Sequence, residues 1–204
     1  LNLAPKITLH DVFVGKHRLE DAIVEVAGGF SVLLAGSGMV EYSRLTPEVR
    51  DQLLQTIESL MPMFDRVVLD TGAGISDVVL YTLSLAHEIL VVTTPEPSAM
   101  TDAYATIKVL SATQGRRELM LSVNQILQPG EGRTICGQLQ AVVDRFVTPG
   151  LDTPLRLQFV GEIPSDPAVR EAVKKRQLLL DLYPGAPAAQ AVLAMGARIA
   201  AARA

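Results

Sequence analysis

The chain has 204 residues, which is enough for one compact domain and too few for two of ordinary size. Apolar residues make up 49% of it, aromatic residues only 4%, and Trp is absent, so we expect an aliphatic core, typical of a parallel sheet covered by helices. A net charge of −4 argues against general nucleic-acid binding, and a single cysteine excludes an internal disulfide.

The sequence predicts neither a membrane span nor a secretion signal. No apolar run approaches the roughly 18 uncharged residues that span a bilayer, and no basic segment followed by an apolar one opens the chain. We therefore expect a cytoplasmic protein whose membrane contact is at most peripheral, at the inner face of the cell membrane. The Ala-rich segment 186–204 has only Arg198 and Arg203 as cations and no aromatic anchor, so we expect it to cover the sheet.

Short apolar runs alternate with helical patterns along most of the chain. Thr46 and Pro47 form a typical helix start, Pro62 marks the end of that helix, and Gly36–Gly38 signals a loop. The alternation predicts one α/β domain over residues 1–204, with a three-layer, mostly parallel sheet and helices on both faces. The predicted strands cover 30–35, 66–70, 88–93, 118–124 and 155–160, and the predicted helices cover 47–61, 76–87, 99–111, 131–147, 186–203 and a segment starting at 167.

Ligands bind at the carboxyl ends of parallel strands, so the turns that follow the strands are the candidate site. In the first such turn, Asp70 ends an apolar run and precedes a Gly-rich stretch. A carboxylate there can hold the water shell of Mg²⁺ beside a phosphate, and Gly72 and Gly74 permit close approach to that phosphate. Capping of the following turn explains Asp70 equally well.

The second turn, Thr93–Tyr104, contains a helix start. Ser98 is predicted as the N-cap, with Asp102 one turn into the helix, which explains both residues without a ligand. It does not explain Glu96, a charged residue between two prolines.

The last two turns follow 118–124 and 155–160. Asn124 carries an amide that offers a donor and an acceptor together, as the reading of an adenine edge requires, although Asn also forms turns at strand ends. In the final turn, Gly161 permits a close backbone approach and Pro164 fixes a rigid loop that can frame a purine. Asp166 also has the position of an ordinary N-cap.

The remaining polar residues indicate no second site. The cations at 174–176 are interpreted as the solvated end of a helix, and Cys136 as an inert thiol. The three histidines have no metal-ligand spacing.

Taken together and in this order, the turns resemble those of the MinD/ParA family of P-loop ATPases. FDRVVLDTGAGISDVVL at 64–80 and EILVVTTPEPSAMTDAYATIKVL at 88–110 are similar, nearly residue for residue, to the flagellar branch of that family, FlhG (also called FleN). The opening residues 1–23 and the tail at 169–192 resemble the same branch, so the resemblance covers essentially the whole chain.

The resemblance implies a role for each matching residue. Asp70 matches the Walker-B carboxylate on Mg²⁺, and the stretch from Thr71 through Gly72 to Gly74 matches switch II. Asn124 matches the adenine-reading residue. The segment that frames adenine in the family corresponds to Ile163, Pro164 and Asp166, and the residues that face the partner subunit in MinD-like dimers correspond to Glu96, Ser98 and Asp102.

One departure from the family is large. Members carry a Gly-rich Walker A with two lysines and a switch I Asp that orients the attacking water, and neither motif occurs in these 204 residues. Without the P-loop amides and lysines, nothing in the sequence cradles the β- and γ-phosphates. We therefore expect no catalytic residue in this polypeptide and no ATP hydrolysis by it, although the intact protein is expected to hydrolyse ATP.

The resemblance implies a slow ATPase that binds ATP or ADP with Mg²⁺, dimerises with ATP and controls flagellar number or placement. The partners it implies are a second copy, and an FlhF-like GTPase, C-ring components or a flagellar transcription regulator. Two alternatives remain open: a non-hydrolysing scaffold of the pilus-localisation type, and a DNA-partition ATPase. The residues upstream of Leu1 distinguish the first alternative, and salt-dependent DNA affinity distinguishes the second.

Overall fold

The computed structural model describes residue 3 and residues 6–35 and 45–201. The chain divides into two compact units, Leu1–Leu85 and Ala86–Ala204. The loop predicted at Gly36–Gly38 lies outside the described residues. The elements of the first unit are α1 (Leu9–Phe13), α2 (Leu19–Ala22), β1 (Ile23–Val26), β2 (Phe30–Leu33), α3 (Pro47–Leu60) and α4 (Asp77–Leu85).

The first unit contains an antiparallel hairpin that the sequence analysis missed. The predicted strand at 30–35 is confirmed as β2, but it pairs with β1, with Val26 opposite Phe30. Gly28 and Gly29 form the turn with φ angles of 97° and 76°, a backbone conformation that favours glycine. Two adjacent glycines between β-rich runs are the signal that predicts such a hairpin.

Helix α3 begins and ends where its sequence predicts. The Thr46 side chain accepts a hydrogen bond from the backbone N–H of Val49 at 3.4 Å, and Pro47 occupies the first helical position. The unit also ties its two longer helices together, because the Tyr81 hydroxyl donates to the backbone carbonyl of Arg50 at 2.9 Å.

The strand predicted over 66–70 is wrong. None of these residues lies in a strand, and no described strand pairs with them. Val68 is apolar and β-branched, as residues of buried strands typically are, yet it is 87% exposed. A strand needs a hydrogen-bonded neighbour, so apolar β-branched composition without one leaves the segment extended and open.

The second unit is a strand–helix alternation, as the sequence predicts. Strands β3, β4 and β5 form a parallel sheet in that order. The elements are β3 (Leu90–Thr93), α5 (Pro97–Gln114), β4 (Glu118–Ile126), α6 (Glu131–Phe146), a 3-10 turn (Thr148–Gly150), β5 (Arg156–Pro164), α7 (Pro167–Lys175), α8 (Leu179–Leu182) and α9 (Pro187–Ala201).

The core of this unit is centred on β4. Its five consecutive residues 119–123 are all buried, so both faces of the strand are covered. Ile107 and Leu110 of α5 and Val143 of α6 are completely buried. A strand is buried on both faces only where other elements cover both sides of the sheet, so this burial fits the predicted α/β fold. Aliphatic side chains fill the core.

The prediction that the C-terminal helix covers the sheet is confirmed. Helix α9 packs on β5, where Arg198 donates to the carbonyl of Val160 at 3.0 Å. Cys136 is buried in α6, and this burial raises the pKa of its thiol, which fits an inert residue. Within the described part of the chain, no helix has the length and apolar character needed to cross a membrane.

Candidate functional site

Three of the four predicted turns lie at one edge of the parallel sheet. Strand β3 ends at Thr93, β4 at Ile126 and β5 at Pro164, and parallel strands place their carboxyl ends together. The fourth turn, which contains Asp70, belongs to the first unit. Within the second unit, the structure therefore brings three predicted turns together.

The register of β4 and β5 places two predicted ligand-binding segments side by side. Asn124 is the Cα partner of Ile163, and Ile126 is the partner of Pro164. The Asn124 carbonyl oxygen, Oδ1, accepts a hydrogen bond from the backbone N–H of Gln125 at 2.9 Å. This bond orients the amide, so one lone pair of Oδ1 and the two Nδ2 donors are directed away from the Gln125 amide.

The end of β4 and the turn that follows it are held by several hydrogen bonds. Gln125 has a φ of 60°, a strained conformation for a residue other than glycine, and such residues persist only where the surroundings fix them. The backbone N–H of Ser165 donates to the carbonyl of Ile126 at 2.9 Å, which joins this turn to the one after β5. Glu131 accepts from the N–H of Leu127 at 2.8 Å.

Asp166 has a structural role that accounts for its carboxylate. One oxygen accepts from the N–H of Ala168 at 2.9 Å and caps α7. The other accepts from the N–H of Ala188 at 3.1 Å, in the first turn of α9. The N-cap interpretation is thus confirmed, and what residues 163–166 can offer a ligand is their backbone and the Ile163 and Pro164 side chains.

Gly161 serves packing. An added Cβ at this position would lie 3.4 Å from the Cβ of Met195 in α9. The close backbone approach predicted for Gly161 is therefore made by a helix of the same unit.

The turn after β3 begins its helix two residues earlier than predicted. Helix α5 starts at Pro97 with Glu96 as its N-cap residue, so the prediction of Ser98 as the N-cap is wrong. Pro97 takes the first helical position because it has no N–H to satisfy. Glu96, Ser98 and Asp102 are all exposed, and Ser98 and Asp102 are four residues apart on one face of the helix.

Asp70 is exposed in the first unit, in a stretch with no helix or strand. Gly74 has a φ of 93°, and the following α4 begins where Ser76 accepts from the N–H of Val79 at 3.4 Å. Among the described residues, no three His, Cys, Asp or Glu side chains are grouped closely enough to hold a metal ion. A single carboxylate is compatible with Mg²⁺, because this ion keeps several water ligands and takes others from the phosphates of a nucleotide.

One residue next to the site is not predicted by the sequence pattern. Glu162, at the end of β5, accepts hydrogen bonds from the N–H groups of Gly130 and Gly132 at 2.7 and 2.8 Å. The only local signal is the Gly-Glu-Gly sequence at 130–132, and nothing in the spacing predicts its partner 30 residues away.

No family model matches the chain. It is 35% identical over 199 residues to the antiactivator FleN of Pseudomonas aeruginosa, which covers 98% of this chain and 69% of FleN. The structure of the cell division ATPase MinD of Pyrococcus furiosus superposes with a TM-score of 0.71 at 26% identity, over 96% of this chain and 76% of that one. The chain belongs to the MinD/ParA family of P-loop ATPases.

A second flagellar relative supports the resemblance stated above. The flagellum site-determining protein YlxH of Helicobacter pylori is 32% identical over 171 residues, which cover 83% of this chain and 55% of YlxH. This MinD/ParA chain thus resembles proteins from the flagellar branch along most of its length, and the family confirms the α/β fold.

Proposed function

We propose that the protein containing this chain is an ATP-dependent molecular switch that dimerises with ATP, hydrolyses it slowly, and controls flagellar number or placement. The observation that carries this proposal is the register of β4 and β5, which places Asn124 beside Ile163 and Ile126 beside Pro164. Membership of an ATPase family and likeness to FleN and YlxH support it.

The base of ATP binds in this proposal at the carboxyl ends of β4 and β5. The amide of Asn124 is oriented by Gln125 and can donate to one adenine nitrogen while accepting from the exocyclic amine. Residues 163–166 frame the ring with backbone groups and apolar side chains. Since Asp166 is used to cap two helices, its carboxylate keeps that frame rigid.

Asp70 is proposed to hold the water shell of Mg²⁺, which would neutralise charge beside the phosphates. Thr71, Gly72 and Gly74 follow it as switch II, and open space around the two glycines leaves room for a phosphate. The residues that cradle the phosphates are not found in the 204-residue chain, so we propose that ATP turnover requires the intact protein.

Glu96, Ser98 and Asp102 are proposed to face a second copy in the ATP-bound dimer. All three are exposed, and none of them gives its carboxylate or hydroxyl to a helix cap. A carboxylate on such a surface can pair with a cation of the other subunit. An FlhF-like GTPase, C-ring components or a flagellar transcription regulator are the proposed further partners, with peripheral contact at the membrane.

Hydrolysis by the full-length protein tests this proposal. We expect Asp70→Ala to lower Mg²⁺-dependent turnover by about 100-fold or more, because charge neutralisation at the phosphates is lost. The matched control is Asp51→Ala, which removes an exposed carboxylate of α3 and should leave turnover unchanged.

Two outcomes would contradict the proposal. Undiminished hydrolysis in Asp70→Ala would refute the role of Asp70. A wild-type protein that binds no ATP, or binds without hydrolysing it, would favour the non-hydrolysing scaffold instead.

A further inference from the structure

We propose that Glu162 is a positioning residue whose carboxylate holds the turn after β4 in the shape that directs Asn124 at a purine. This inference rests on the adenine site proposed above. Glu162 does not contact the base in this account; it acts through Gly130 and Gly132.

The carboxylate of Glu162 is divided between two backbone donors. Oε1 accepts from the N–H of Gly130 at 2.7 Å, and Oε2 accepts from the N–H of Gly132 at 2.8 Å. These donors lie at the start of the 16-residue helix α6. A negative charge there is stabilised by the free N–H groups and the positive end of the helix dipole, and charge-assisted bonds of this kind are short and strong.

The fit between the carboxylate and the helix start is tight. A Cβ added to Gly132 would lie 2.7 Å from the Cβ of Glu162, 2.8 Å from its Oε2 and 3.2 Å from the Cβ of Val123. Gly130 has a φ of 87°, which also favours glycine. The Gly-Glu-Gly sequence and Glu162 thus form one arrangement, in which β5 fixes where α6 begins.

This arrangement holds one end of the segment from Ile126 to Gly130. The β4–β5 ladder and the bond from Ser165 fix Ile126, and Glu162 fixes Gly130. Gln125, at a φ of 60°, is the bulge residue directly before this segment, between the ladder pairs Asn124–Ile163 and Ile126–Pro164. If the anchor at Gly130 is lost, the segment can shift against the bulge, and the N–H that Gln125 donates to Asn124 Oδ1 loses its alignment.

The two anchored turns also border each other along the chain. Glu162 immediately precedes Ile163 and Pro164, the residues that are proposed to frame the ring. One side chain therefore links the residue that reads the base to the segment that frames it. A purely stabilising role would weaken the folded state and the binding of every nucleotide alike, whereas a positioning role changes the preference between bases.

Competition between ATP and GTP for the full-length protein tests the inference. We expect Glu162→Gln, which places an amide NH₂ against a backbone N–H, to raise the Kd for ATP by about tenfold, the size of one charge-assisted hydrogen bond. The Kd for GTP should change by less than about twofold. The preference for ATP, which is the ratio of the Kd for GTP to the Kd for ATP, therefore falls. Glu171→Gln, on the exposed face of α7, is the matched control and should leave both values unchanged.

Two further variants keep the outcome decisive. Glu162→Asp retains the charge but is one methylene too short to reach both glycines, so it should give the same loss of preference even if Glu162→Gln folds poorly. Gly132→Ala combined with Glu162→Asp should cost little more than either change alone, because both act through the same contact.

The results separate this inference from the proposed function. A wild-type protein without a preference for ATP over GTP contradicts the adenine site itself. A wild-type preference that is lost in Asn124→Ala but kept in both Glu162 variants contradicts only the positioning role of Glu162.

Discussion

At the scale of single residues, the carboxyl edge of the sheet assigns its polar groups to different tasks. Asp166 uses both carboxylate oxygens to cap helices, and Glu162 uses both of its own on the start of α6. Asn124 Oδ1 accepts a hydrogen bond from the N–H of Gln125, and its amide donors are the ones that we propose bind the base. Asp166 and Glu162 therefore make this edge rigid, and recognition of the base is the role proposed for the Asn124 amide.

The first residue-scale prediction concerns Asn124 and the affinity for nucleotides. Replacing it with Ala should raise the Kd of the full-length protein for ATP by about tenfold and remove the preference over GTP, since a site built to hydrogen-bond a group loses selectivity without it. Calorimetric titration with both nucleotides measures this. Gln55→Ala, an exposed amide on α3, is the control, and equal preference in Asn124→Ala and the wild type would exclude the reading role.

The second residue-scale prediction concerns Asp166 and the stability of the folded chain. We expect Asp166→Ala to reduce the free energy of unfolding by about 2 to 3 kcal/mol, because two helix starts lose a cap at once. Urea unfolding followed by circular dichroism gives the value. Asp152→Ala removes a carboxylate that is 93% exposed and forms a 3.6 Å ion pair, so it should change stability by less than about 0.5 kcal/mol. A loss as small for Asp166 would show that its two bonds are not stabilising.

At the scale of elements, local patterns predicted most of the second unit. Strands β3 to β5 and helices α6, α7 and α9 occur where apolar runs, Asp166-Pro167 and helical spacing place them, with ends shifted by a few residues. The start of α5 was missed because Ser98 is a good N-cap, while the missing N–H of Pro97 allows the helix to begin earlier. Apolar periodicity therefore predicts where helices and strands occur, but it does not decide which of two neighbouring residues caps a helix.

Long-range contacts account for part of what sequence reasoning missed. The bonds from Glu162 to Gly130 and Gly132 join residues that no local pattern relates. The β1–β2 hairpin, by contrast, is a local pairing that Gly28-Gly29 signals. The opposite error occurred at 66–70, where β-branched residues predicted a strand that has no described neighbour. A β-strand is defined by its hydrogen bonds to a neighbouring strand, so a single apolar run in the sequence cannot establish a strand.

At the scale of the whole molecule, an ATP switch requires that nucleotide and a second copy bind at related places. Glu96, Ser98 and Asp102 follow β3 at the same sheet edge as Asn124. Their exposure leaves a polar surface beside the proposed base site, as a dimer that closes over ATP would need.

This surface gives a prediction for assembly. In the full-length protein, Glu96→Gln should weaken ATP-dependent dimerisation by about tenfold, the contribution of one interfacial charge-assisted bond. Sedimentation velocity with and without ATP measures the dimer. Glu118→Gln removes a carboxylate at the opposite, amino end of β4 and should leave it unchanged. Equal dimerisation in both variants would place the interface elsewhere.

The central claim, that the turns after β4 and β5 bind adenine, is tested most directly by photo-crosslinking the full-length protein with 8-azido-ATP and mapping the labelled peptides. We expect label within 124–130 and 163–166, suppressed by excess ATP and reduced in Asn124→Ala. Specific label confined to residues 1–85, with none after β4 or β5, would contradict it.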